Sequence, residues 1–375
     1  MAEYGAQRTA LLLSGDLGAG HKVTAATVAA VLGGDGWRSS TLDSMALLGR
    51  RGGAAGEGCF RRMLALPGVY DAFHFACLRP GTALARFADR AARRQMVPRL
   101  ARVLAADPPD LILAVFATGA SAAAELARAG QAPAVVAFCT DVTPHRMWVH
   151  EGIDAYLVIC PAAAQAVRRY QPHAKIVVVP RPVRPEFLCA PQQPTARKVL
   201  GLPPDEPCVL LMSGGWGLGP VAETASALAA AGLHVLAVAG ENSALHARLD
   251  RLSGQHPNLR AFGYTTQIPL LMSAADLIIT TSGVTCSEAR AVGRELLLID
   301  LVPGHGRENL QHELELGHAA VASTDVQLLT GAALAALSHA EVLPPENPMP
   351  GFLCGFAGVL AALGLAAPGV APRNP

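Results

Sequence analysis

Short aliphatic or β-branched runs alternate along this chain with longer stretches rich in Ala, Leu and Arg, whose apolar positions recur at helical spacing. That is the pattern of βαβ units on a parallel sheet, so the chain reads as α/β. Strands are predicted at 9–14, 111–116, 134–138, 155–160 and 175–179 in the first half, and at 209–213, 234–240, 259–262, 277–281 and 296–300 in the second. Between the two sets, 180–207 holds eight of the chain's 28 prolines and propagates neither helix nor central strand. A boundary near Ala190 follows, with one Rossmann-like parallel-sheet domain over 1–190 and a second, carrying a terminal helix, over 191–375. Two such domains, joined by a stiff linker, would face a cleft at the carboxyl edges of their sheets, where open α/β sheets bind ligands.

Composition narrows this picture without choosing a ligand. The 375 residues suffice for two cores. Hydrophobic residues make up 51% and charged ones 16%, with 30 basic against 29 acidic, which excludes a disordered chain and a general nucleic-acid binder. The eight cysteines stand singly with no CxxC pair, as expected in a reducing cytoplasm. The apolar run after Arg8 stops at Ser14 and Gly15, too early for a secretory signal. The uncharged stretch 351–370 is Gly- and Ala-rich and reads as a packed terminal helix rather than a membrane span. The glycine-rich 49–58 reads as a loop able to cover a site.

The chemistry-bearing residues cluster in turns after predicted strands. The first strand runs into Gly15-Asp16-Leu17-Gly18-Ala19-Gly20-His21. Glycines at a helix start let the backbone approach a ligand, and free N–H groups there favour negative charge. The spacing matches neither a dinucleotide fingerprint nor a Walker loop. His21 is a candidate general base or hydroxyl-orienting group; equally, it is a capping histidine. A second turn, 213–219, places Ser213, Gly214, Gly215 and Gly217 in an amide-lined concavity that fits a diphosphate. A third, with Ser282, Gly283 and Thr285, enters a helix whose Glu288 is either a ribose acceptor or an ordinary helical glutamate. Two further stretches carry Asp141 and His145, and Glu308, Asn309 and Gln311. Asp141 is a second candidate base, and the last three can read sugar hydroxyls; the commoner fate of Asp and Asn in turns is to bond their own backbone.

The ordered set SGDLGAGHK, CTDVTPH, SGGWGLGP, FGY with MSAADLIITTSGVTCSEA, and PGHGRENLQ resembles the bacterial and plastid glycolipid synthases that move glucose or galactose from a UDP-sugar to diacylglycerol. It is similar, more distantly, to the transferase that adds N-acetylglucosamine to lipid-linked muropeptide. The resemblance implies the GT-B fold and a metal-independent transfer of a hexosyl or N-acetylhexosaminyl unit to a lipid or lipid-linked hydroxyl, with no cofactor beyond the UDP-sugar. It implies that His21 and Asp141 are the catalytic pair, with Gly18, Gly20 and His145 on the acceptor side. Ser213, Gly214, Gly215, Gly217, Ser282, Gly283 and Thr285 would cradle the diphosphate, Phe262, Gly263 and Tyr264 would lie against uracil, and Glu288 would hold the ribose. Glu308, Asn309 and Gln311 would face the sugar. One departure is visible: where the synthases show PGQEEGN, this chain reads PGHGREN, displacing the acidic pair.

No two aspartates are separated by one residue and no HExxH occurs, so no catalytic metal is expected. The segment 79–102 carries seven arginines and one acidic residue, with Arg86, Arg90, Arg93 and Arg94 on one side and Phe87, Ala91, Leu100, Val103 and Leu104 apolar. This reads either as an anchor to anionic lipid, placing a cytoplasmic protein on the inner face of the cell membrane, or as the solvated face of a core helix. Two other functional readings stay open: a UDP-sugar hydrolase or epimerase on the same fold, and a non-catalytic UDP-sugar sensor.

Overall fold

A computed structural model describes residues 7–15, 19–49, 71, 74–78, 82–317, 319–339 and 343–366. Gly18 and most of the 49–58 stretch lie outside the described residues. The chain divides into two compact units, changing from the first to the second between Pro182 and Val183 and returning between Asn347 and Pro348.

In the first unit β1 (Thr9–Ser14), β2 (Arg38–Asp43), β3 (Leu111–Ala114), β4 (Ala134–Cys139), β5 (Ala155–Val158) and β6 (Ile176–Val178) form a parallel sheet in the order β2-β1-β3-β4-β5-β6. Residues of alternate parity on the central strands bury on opposite faces, as the pleat requires. Leu11, Leu13, Ile112 and Val135 join the core under α2 (Ala83–Ala106) and α3 (Ala117–Arg128), while Leu12, Leu111, Leu113 and Val136 join the core under α1 (Ala19–Gly34). Both faces being covered explains why these strands read as continuous apolar runs.

The second unit repeats the plan. Strands β7 (Cys208–Met212), β8 (His234–Val238), β9 (Leu259–Phe262), β10 (Leu277–Thr280), β11 (Glu295–Ile299) and β12 (Ala319–Ala322) are parallel in the order β12-β11-β10-β7-β8-β9.

In each sheet the strand order reverses once, between β1 and β3 in the first and between β7 and β10 in the second. At such a point the connections leave to opposite sides, opening a crevice at the carboxyl ends of the two strands.

The structure departs from the sequence reading in three places. Strands β2 and β12 were not expected: RSSTLD is mostly polar, and AAVA is mostly alanine, which favours strands little, and each is an edge strand with exposed positions. The change of unit falls eight residues before Ala190, because α5 (Pro185–Leu188) packs with the second unit through buried Phe187. The terminal helix, α13 (Met349–Ala362), belongs with the first unit rather than the second. Its Phe352, Phe356, Val359 and Leu360 are buried against Leu12, Val28, Phe138 and Val179, each burial worth about 1.5–3 kcal/mol. It is the packed helix expected for that stretch, and no described helix is long and apolar enough to cross a membrane.

Candidate functional site

Two clusters form, one at each reversal point. In the first unit Gly15 follows β1, and a Cβ there would stand 2.3 Å from the Phe116 ring, so only glycine allows this approach. Gly20 and His21 lie in the first turn of α1. His21 Nδ1 is 2.8 Å from the Val115 carbonyl oxygen, with the ring edge-on to Phe116 at 4.8 Å between centroids and 6.5 Å from Trp148. A carbonyl only accepts, so Nδ1 carries a proton, and in the neutral ring the lone pair is then on Nε2. Val115 is itself tied to β1 through its N–H to Leu13, so the imidazole is anchored across the strands that flank the reversal.

The turn after β4 holds the other first-unit candidates. Buried Arg181 donates to the Thr140 carbonyl at 2.7 Å and pins the start of this turn, next to half-buried Asp141. Burial, with the charge of Asp141 adding to it, pushes the Cys139 thiol well above its usual range, so this cysteine is a packed hydrophobe. His145 caps the short helix Arg146–Trp148, its Nδ1 accepting from the Met147 N–H at 3.3 Å. The capping role is thus what the structure gives His145.

In the second unit the turn after β7 is folded by glycines with positive φ at 214, 217 and 219. Gly217 is under the tightest constraint: at φ +56°, an added Cβ would also lie 3.0 Å from the Ala239 carbonyl oxygen. The turn is fastened to its neighbour after β8 by Glu241 N–H to Gly215 O at 2.9 Å and Asn242 Nδ2 to Trp216 O at 3.1 Å. The helix it opens, α7 (Val221–Ala230), carries Glu223 in its first turn. That carboxyl is held below its usual range by its own backbone N–H and by Arg248. Negative charge already occupies this helix end.

The turn after β10 differs. Helix α10 (Val284–Val292) has no acidic residue in its first turn, and its Cys286 N–H donates to the Gly283 carbonyl at 3.1 Å. Ser282 Oγ donates to the Gly306 carbonyl at 2.9 Å, joining this turn to the loop that opens α11 (His305–Glu315). Two buried hydroxyls at the ends of adjacent strands, Ser213 and Thr280, have no hydrogen-bond partner among the described residues. Gly263 and Tyr264 follow β9, the Tyr264 ring 76% exposed. Glu308 and Asn309 are half-buried on α11, whereas exposed Gln311 donates along the helix to Glu315 at 3.2 Å and is not gathered with them.

Glu288 is the most perturbed carboxyl of the unit. It is 4% exposed on the second turn of α10, and burial lifts it to about 7 even though Arg184 pulls the other way. The Arg184 guanidinium meets it at 2.9 Å. Sequence reasoning missed Arg184: it stands in the proline-rich linker, 104 residues from its partner, and no spacing signals the pair.

The arginine face of α2 needs a correction. Arg93 turns inward to Asp89 at 3.1 Å and Glu125 at 2.8 Å, and Leu100 and Leu104 are core residues, because the helical period carries 85, 89, 96, 100 and 104 inward. Arg86, Arg90 and Arg94 remain exposed beside exposed Leu84, Phe87 and Ala91.

Comparison with known proteins bears out the resemblance read from the turns. Residues 78–177 match the monogalactosyldiacylglycerol (MGDG) synthase family, and residues 220–330 match the glycosyltransferase family 28 C-terminal domain. The chain is 33% identical over 195 residues to a processive diacylglycerol beta-glucosyltransferase of Bacillus pumilus (strain SAFR-032), covering 51% of each chain. It is 34% identical over 204 residues to a probable chloroplastic monogalactosyldiacylglycerol synthase 2 of Oryza sativa subsp. indica, covering 51% of this chain and 43% of that one. The matches thus span about half the length of these relatives or less. Among solved structures it resembles a sucrose-phosphate synthase from Thermosynechococcus elongatus (TM-score 0.58, 17% identity, 96% of this chain and 97% of that one). It also resembles a UDP-GlcNAc 2-epimerase from Neisseria meningitidis (TM-score 0.61, 12% identity, 95% and 100%). Two Rossmann-like units of the GT-B fold therefore carry, in this chain, one segment that matches the MGDG synthases and one that matches the family 28 glycosyltransferase C-terminal domain.

Proposed function

We propose that this protein transfers a hexosyl or N-acetylhexosaminyl unit from a UDP-sugar to the hydroxyl of a lipid, with diacylglycerol the first acceptor to try. The observation that carries this reading is the β10–α10 turn: inside the segment that matches family 28, a helix end free of acidic residues stands one turn before a buried carboxylate. The diphosphate lies on the N–H groups of α10, with Gly214, Gly215 and Gly217 closing its other side; Glu288 accepts from the ribose and the exposed Tyr264 ring covers uracil. The acidic first turn of α7 makes the α10 end the stronger phosphate ligand.

On the acceptor side His21 is the base and Asp141 supports it. The Val115 carbonyl holds the Nδ1 proton, so Nε2 takes the proton of the acceptor hydroxyl. The alkoxide oxygen forms a bond to the anomeric carbon as the bond to the β-phosphate oxygen breaks, and the backbone amides stabilise the departing UDP. Glu308 and Asn309 contact the hexose. No cofactor beyond the donor enters these steps.

Membrane contact is proposed through Arg86, Arg90 and Arg94 with Leu84 and Phe87, not through Arg93. A cavity of about 540 Å³ adjoins this face, lined by Arg86, Arg90, Arg128 and Arg146 and by Asp89, Glu125 and Glu151.

The test is a panel of radiolabelled UDP-sugars incubated with a total lipid extract. We expect a labelled glycolipid with at least one donor, and a loss of about 10²–10⁴-fold in turnover for His21→Ala with UDP affinity unchanged. Sugar released or isomerised without acceptor would instead mark a hydrolase or epimerase, and UDP binding with no turnover a sensor.

A further inference from the structure

Arg184 sends two nitrogens, Nε and a terminal one, to the same oxygen of Glu288, Oε1, each at 2.9 Å. No hydrogen bond falls on Oε2 among the described residues. Nor is Oε2 among the fully buried atoms that lack a partner, so it keeps some accessible surface. The guanidinium is backed by the Phe187 ring, 4.7 Å from its centroid, and Phe187 is itself 1% exposed. The carboxylate side chain is 5% exposed and the arginine 31%. This is a partly buried pair on a rigid support, unlike an exposed pair whose side chains wander.

We propose that Arg184 is a positioning residue of the donor site: by occupying Oε1 it fixes the rotation and the charge of the Glu288 carboxylate, so that Oε2 is the oxygen offered to a ribose hydroxyl. The linker arginine thereby sets how strongly the site tells a ribonucleoside diphosphate from its deoxy counterpart. The proposal rests on the reading that Glu288 holds the ribose.

Its physical basis is a competition. A carboxyl in this position favours its neutral form, and a neutral carboxyl accepts a hydroxyl more weakly than a carboxylate does. Arg184 is the charged group that opposes burial, whereas Glu186 reinforces it. Removing Arg184 leaves Glu288 facing burial and Glu186 together, so the carboxylate form retreats to higher pH and the side chain is free to rotate.

The experiment measures UDP and 2′- and 3′-deoxy-UDP affinities by calorimetry between pH 6 and 9, in the full chain and in Arg184→Ala, Arg184→Lys and Glu288→Ala. The wild type is expected to prefer UDP over one deoxy analogue by about tenfold, the worth of one charge-assisted hydrogen bond. Arg184→Ala should lose most of that preference, and the pH at which UDP affinity is half-maximal should move to the alkaline side; Arg184→Lys should hold the midpoint better than Arg184→Ala. The preference is a ratio within one protein, so partial unfolding lowers the active fraction without changing it. If Arg184→Ala keeps the wild-type preference and midpoint while Glu288→Ala loses the preference, the positioning role is wrong and the ribose reading stands. If Arg184→Ala binds UDP more tightly, the guanidinium is a competitor of the ribose, which also overturns the proposal. If Glu288→Ala binds all three ligands as the wild type does, the ribose reading itself fails.

Discussion

Glu288 shows what burying a single carboxyl costs. Its carboxyl titrates near 7, above the 4.5 of an unfolded glutamate, so between these values the folded state holds a proton that the unfolded state has lost. Stability drawn from this group is therefore highest below 4.5 and falls as pH rises through 7, by at most about 3 kcal/mol. Glu288→Gln keeps the neutral shape at every pH. Relative to the wild type it should gain stability from pH 5 to pH 7 and level off above, as read from the difference between the two Tm profiles. A flat difference would mean that Arg184 compensates burial fully. At this scale legibility was uneven. Glu288 and His21 could be named as candidates because each stands near the start of a helix that follows a strand end, but the residues alone left each open and the family resemblance made the assignment. Arg184, Val115 and Phe116 could not, because each acts through a contact that exists only once distant segments are folded together.

Elements were legible where burial is two-sided. Central strands such as LLLS of β1 and LIIT of β10 are apolar on both faces, and a continuous run cannot be mistaken for a loop. Edge strands β2 and β12 bury little, β2 being mostly polar and β12 mostly alanine, so neither carries a run of large aliphatic residues. The α2 helix makes the complementary point: the sequence showed a basic amphipathic segment, but which arginines face outward depends on the acidic groups of α3, and Glu125 draws Arg93 inward. Elements of the second unit are also tied by ions. Arg197 on α6 (Gln193–Leu200) is 5% exposed and donates to the Ala274 carbonyl at 3.0 Å and to Asp276 at 2.6 Å. Asp276 in turn accepts from the Cys208 N–H at 2.8 Å, so one pair joins α6 to the starts of β7 and β10. Arg197→Ala removes the cation hydrogen-bonded to Asp276 and should lower stability by about 3–5 kcal/mol in urea unfolding.

For the molecule as a whole, each unit carries its candidate groups in turns after its strands, with Gly15 and His21 at the β1/β3 reversal and Ser213 and Ser282 at the β7/β10 reversal. The exposed arginines of α2 belong to neither cluster, and the proposed membrane contact is tested on them. Replacing Arg86, Arg90 and Arg94 together by Gln should weaken sedimentation with anionic vesicles at low salt by about 3 kcal/mol, near 1 kcal/mol for each charge. Arg93→Gln should leave vesicle binding as it is. Absence of wild-type binding at low salt would sink the membrane reading.

The placement of α13 also imposes an order of events during synthesis. One face of the first unit's sheet is covered jointly by α1 and α13, and the second unit lies between those two helices in the chain. The second unit can complete its core while the first still waits for Phe352 and Phe356. A nascent chain therefore carries the uncovered surface of Leu12, Val28 and Phe138 through most of translation, a period in which it is a natural client for a chaperone that shields apolar patches.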